Sequence, residues 1–137
     1  MRLLIRGWAT LVALLPWLAF AFGVDHAALW NVFRPLCHQD AARSLMHDGY
    51  QMMVCSRCAG IYLGVAVGVW SPFHISIAHF RVLLIATLAL MSGHVLLQNL
   101  WLGVHHPVRL STGLLLGGLL GALLSAAIRN MTEQRGP

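Results

Sequence analysis

The sequence has no lysine: all nine of its basic residues are arginine. Acid is scarcer still, with four residues in 137, and charged side chains make up only 9% of the chain. Soluble domains carry about 25% charge, so the surface that should face water is missing and a soluble globular domain is excluded. The arginines stand singly at the ends of apolar segments, so the formal net charge of +5 is not the footprint of a nucleic-acid binder. No nucleic-acid partner is expected. The three cysteines are an odd number, so one disulfide leaves a thiol over. No Ser-His-Asp arrangement, phosphate loop or His-Glu-x-x-His helix is present.

What the chain has instead is apolar length, 58% hydrophobic residues and a mean hydropathy of +0.73. Four stretches stand out, at about 7–23, 55–70, 81–102 and 110–128. A spanning helix needs roughly 20 apolar residues, so the first two must borrow a turn from their flanks. The expected fold is all-α: a polytopic membrane protein forming a four-helix transmembrane bundle, one membrane domain over 1–137 with a Cys/His loop at 24–54. The basic start, the apolar run and "AFA" at Ala19–Ala21 also fit a signal peptide.

Four spans put both termini on one side, with Arg2, Arg6, Arg81, Arg129 and Arg135; Arg34, Arg43, Arg57 and Arg109 lie on the other. That bias leans toward cytoplasmic termini and an extracytoplasmic cysteine loop, in a multi-pass protein of the cell (inner) membrane in contact with lipid. Glycine recurs every fourth residue at Gly60, Gly64 and Gly68, and again at Gly113, Gly117 and Gly121. Each set makes a smooth helical stripe on which another backbone can pack, within the chain or in a homo-oligomer.

Every cysteine falls within "CHQDAARSLMHDGYQMMVCSRC", residues 37–58. Cys55 and Cys58 are spaced i, i+3 at a helix start, which puts both sulfurs on one face and favours thiolate. Cys37 and His38 lie far enough upstream for the loop to fold back. Cys37, His38, Cys55 and Cys58 make a tetrahedral set, three thiolates and one imidazole, suited to a metal and above all to zinc. Adjacent residues seldom ligate one ion, so His26, His47, His105 and His106 are alternatives to His38. Asp25, Asp40 and Asp48 share the loop, and Asp40 or Asp48 is placed to orient a ligand histidine.

Arg57, His94 and Arg109 are the candidate catalytic side chains, though no signature fixes a reaction. His94 and Gln98 share one face of the third stretch, and an ionisable residue at that depth marks a candidate functional site. Arg57 and Arg109 can grip an anion or compensate an anionic metal centre. In layout the chain also resembles the quinone-coupled disulfide oxidases. The alternative reading is therefore a thiol–disulfide oxidoreductase using Cys55 and Cys58, with Cys37 exchanging and a quinone as cofactor. Those enzymes carry a second cysteine pair, where this chain has only Cys37.

"CHQ" at 37–39, "RS" at 43–44, "CSRCAGIYLG" at 55–64 and "RLSTGLLLG" at 109–117 resemble a family of small prokaryotic integral membrane proteins known as a domain of unknown function. The resemblance covers most of the chain and brings no activity. It implies that Cys37, His38, Gln39, Arg43, Cys55, Arg57, Cys58, Gly60 and Tyr62 form one constellation.

Overall fold

The structure, a computed structural model, describes residues 1–24, 27–72, 77–103 and 105–133. Asp25, His26 and Arg135 lie outside the described residues. Among those described, five α-helices and one β-hairpin appear in the order α1 (Arg2–Ala21), α2 (Ala27–Phe33), β1 (Ser44–His47), β2 (Tyr50–Cys55), α3 (Ser56–Gly68), α4 (Ile77–Leu97) and α5 (His106–Glu133). Three helices are long and apolar enough to cross a membrane: α1, α4 with the start of its continuation, and α5.

The four-helix, all-α expectation is corrected on two counts. The second apolar stretch yields a helix of only 13 residues, about 20 Å long against the roughly 30 Å of a hydrocarbon core. The loop before it contains a two-stranded antiparallel sheet. Its turn is Asp48-Gly49, both at positive φ (47° and 82°). That is the two-residue geometry whose twist matches a hairpin, and Asp-Gly is a favoured pair for it. His47 pairs with Tyr50 and Met46 with Gln51, with an irregularity before Ser44 meets Cys55.

The glycine stripes decide the packing. α3 and α5 run parallel, and a Cβ built on Gly60 would run into the Leu110 carbonyl, one on Gly64 into Leu114, and one on Gly68 into Gly118. In return, Gly113 sits on the Arg57 carbonyl, Gly117 on Ile61 and Gly121 on Val65. The two stripes therefore meet each other inside one chain. Dispersion between closely packed backbones drives helix association where lipid is as apolar as the helix.

Helix α1 runs antiparallel to α3. Trp17 Nε1 donates to the Ala59 carbonyl (3.0 Å) near one end, and Trp70 Nε1 to Thr10 Oγ1 (2.8 Å) near the other. At its C-terminus Gly23 takes φ 62°, and Val24 N–H reaches the Ala19 carbonyl while Gly23 N–H reaches Phe20. This Schellman closure satisfies the last carbonyls and turns the chain into the loop. α4 is sparsely packed, with 6% of its apolar window buried. Its end passes into a π-helical turn, Gln98–Leu102.

Gly117→Ala is expected to destabilise the protein by about 1–3 kcal/mol, because its Cβ meets the Ile61 backbone, which cannot move aside. Gly118→Ala, with open space around its Cβ, should be neutral or slightly stabilising. Thermal unfolding of both variants in one detergent checks the contrast, and equal melting temperatures would refute this packing.

Candidate metal centre

Three elements deliver the three cysteines to one point. Cys37 follows α2, its N–H closing that helix on the Phe33 carbonyl at 3.0 Å. Cys55 ends β2 and, with extended φ and ψ of −67° and 157°, caps α3. Cys58 lies in the first turn of α3. Their sulfur atoms all lie within 4.8 Å of one another, an arrangement that can hold a metal ion. Thiolates on a tetrahedral ion stand about 3.8 Å apart, from metal–sulfur bonds of about 2.3 Å. Three sulfurs gathered within 4.8 Å are close enough to share one ion.

The surroundings favour thiolate at Cys55. The Cys55 N–H donates to Cys37 Sγ at 3.1 Å. Hydrogen bonds from Cys37, then Cys58, and to a lesser degree from Arg109, hold the Cys55 thiol far below the ordinary cysteine range. Cys58 is pushed up, because its contacts with Cys37 and Cys55 favour the protonated, donating form. A metal would replace the thiol protons of its ligands.

Underneath lies the apolar floor of Ala19, Phe33, Met52, Met53, Val54 and Ala59. Beside the sulfurs, Arg109 is 5% exposed and Ser56 fully buried. Arg109 Nε donates to Ser56 Oγ (3.2 Å) and its Nη1 to Gln98 Oε1 (3.0 Å). Ser56 Oγ in turn donates to the Arg43 carbonyl (3.1 Å). Arg57 Nη2 lies 3.3 Å from His94 Nδ1; a guanidinium only donates, so Nδ1 accepts. Arg57 thus meets His94, and Arg109 meets Gln98 and Cys55. The polar ends of α4 and its π turn dock onto the starts of α3 and α5.

Among the described residues, no histidine joins the sulfur group. His38 is exposed and outside the sulfur group, although it neighbours Cys37. The next residue, Gln39, is held at φ 54°, its Nε2 donating to the Trp30 carbonyl (2.8 Å) while its own carbonyl accepts from Gln51 Nε2 (2.9 Å). His47 lies exposed beside Asp48. His105 is exposed, and His106 is half-buried with its Nδ1 unpartnered. Asp40 accepts from the Ala42 N–H and pairs with Arg43, so it orients no ligand histidine in this arrangement. Sequence reasoning missed the hairpin and Ser56; the Asp48-Gly49 pair was the available signal for the hairpin.

The sequence model of a family described as "Predicted membrane protein (DUF2085)" matches residues 37–123. The chain belongs to this family. The matched segment opens at Cys37 and takes in all three cysteines, Arg57, His94 and Arg109. An uncharacterised protein of Methanocaldococcus jannaschii is 42% identical over 55 residues, 39% of this chain and 35% of that one. Another from Methanothermobacter thermautotrophicus is 50% identical over 32 residues, 23% of this chain and 29% of that one. The match thus spans little over a third of the first relative's length and less of the second's. No solved structure matches the chain.

Gln98→Leu removes the acceptor for Arg109 Nη1 and leaves a buried guanidinium N–H without a partner. It is expected to cost about 1–3 kcal/mol and to loosen the end of α4. A lower melting temperature together with faster proteolysis near residues 98–103 is the expected result; unchanged values would show that the contact is incidental.

Proposed function

We propose that Cys37, Cys55 and Cys58 bind one zinc ion, and that this ion fastens the 24–54 segment over the mouth of a membrane-embedded helical assembly. The observation that carries the reading is the meeting of three sulfurs from three separate elements, within 4.8 Å of one another. Zinc suits a three-thiolate set without redox chemistry of its own. A metal contributes folding energy, and here it would tie the residue after α2 and the end of β2 to the start of α3. His38 is exposed and stays outside the sulfur group. The reading is therefore a site of three cysteine ligands, rather than the closed set of three cysteines and a histidine expected from the sequence.

The thiol–disulfide alternative finds its cysteines close together as well. It is the weaker reading, because two sulfurs would pair and strand the third beside the arginines, and no second cysteine pair exists to pass electrons on. We place the protein in the cell membrane with the metal site on the extracytoplasmic side, following the arginine distribution.

Elemental analysis of protein purified without added metal, with thiol titration after denaturation, tests the proposal. Zinc near one per chain with three free thiols is the expected result. No metal with a single thiol means a disulfide and refutes it. Cys55→Ser should lose the zinc and lower the melting temperature; a variant that keeps both would overturn the assignment of Cys55 as a ligand.

A further inference from the structure

Among the described residues, two arginines beside the sulfur group have no carboxylate to answer them. Asp40 is engaged by Arg43 at 3.2 Å, and Asp48 lies exposed beside His47 at 3.4 Å. Glu133 belongs to the far end of α5, roughly 36 Å from Arg109 at 1.5 Å per residue. Asp25 is outside the described residues. Arg109, almost fully buried, spends its Nε and Nη1 on neutral acceptors, Ser56 and Gln98. Arg57 reaches neutral His94, while its Nε is buried with no partner. An unmet N–H of this kind is costly and marks a missing acceptor.

The charge count points the same way. Three thiolates and a divalent ion carry one net negative charge, against two guanidinium cations. Uncompensated charge away from water is expensive, and one further monoanion balances the group. Three protein ligands also leave the fourth corner of a tetrahedral ion open. We infer that this corner takes a singly charged oxyanion, a carboxylate or a phosphodiester, held between the metal and the guanidinium fork of Arg57. The inference rests on the metal reading above. A guanidinium presents paired donors matched to such oxygens, which an ammonium cannot. Two sources supply this chemistry at a membrane face: a soluble carboxylate, or the headgroup phosphodiester of a lipid.

The test uses full-length protein in detergent with cobalt(II) exchanged into the site, its metal content measured before any oxyanion is added. Acetate and dimethyl phosphate are then titrated while the cobalt ligand-field bands are followed, and the spectrum is repeated in phosphatidylglycerol vesicles. A saturable change with acetate alone assigns a soluble carboxylate; a change with dimethyl phosphate, already present in the vesicles, assigns a lipid. Either supports the inference. Arg57→Gln should retain cobalt and raise the half-saturating concentration by about thirtyfold. Gln98→Glu, which keeps an acceptor for Arg109, should blunt the response by balancing the charge from within. Cobalt-loaded protein indifferent to both probes and to vesicles, or an Arg57→Gln titration identical to that of the unaltered protein, would overturn the oxyanion site alone. Protein that takes up no cobalt would overturn the metal reading, and the oxyanion with it.

Discussion

Gly60 lies against the carbonyl of Leu110 and Gly113 against that of Arg57, so α3 and α5 meet there with no side chain between their backbones. This contact fixes the rest of the site. Cys58 stands two residues before Gly60 and Arg109 one residue before Leu110. The same register that seats the glycines therefore sets the sulfur group beside a buried guanidinium. The Cβ-free stripe continues through Gly64 and Gly117 to Gly68 and Gly121, and any methyl added along it forces the helices apart. Packing of this sort is stiff because protein interiors have little free volume. A short α3, unable to span a membrane alone, is held upright by its longer neighbour.

A second constraint is electrostatic. Among the described residues, no acidic side chain stands near Arg57 or Arg109. Asp40 and Asp48, the acids of the neighbouring loop, are engaged by Arg43 and His47 instead. Thiolate at Cys55 is stabilised by hydrogen bonds from Cys37 and Cys58 and by the neighbouring Arg109 guanidinium, and a metal ion would be the cation that makes three thiolates compatible with one another. Arg57 with His94 and Arg109 with Gln98 also form the polar attachment of α4, which is otherwise loosely packed. The centre and the docking of that helix thus share the same two side chains.

Much of this was legible in the sequence. The apolar runs, the Cys-x-x-Cys at a helix start and the returning Cys37 point to the cluster directly. His94 and Gln98 on one face of the third stretch meet Arg57 and Arg109. What the sequence concealed has physical causes. Spacing shows that Gly60, Gly64 and Gly68 make a smooth face, but not that the matching face belongs to the same chain. The run at 55–70 reads as apolar throughout, yet the helix cannot begin before Cys55, because β2 claims the preceding residues in a hairpin ladder. Asp48-Gly49 encodes that hairpin, and its signal is masked by the few, irregular residues of β1. His38 follows Cys37 directly, but Gln39 at φ 54° and its bond to Trp30 set the local backbone, and the imidazole is exposed.

The most direct test of three sulfur ligands with an open fourth position is X-ray absorption at the zinc edge, on protein purified without added metal. Three sulfur scatterers near 2.3 Å and one lighter oxygen or nitrogen atom near 2.0 Å are the predicted shell, with the distances those of ordinary zinc sites. A shell of two sulfurs or fewer would contradict the account, as would the absence of any bound metal.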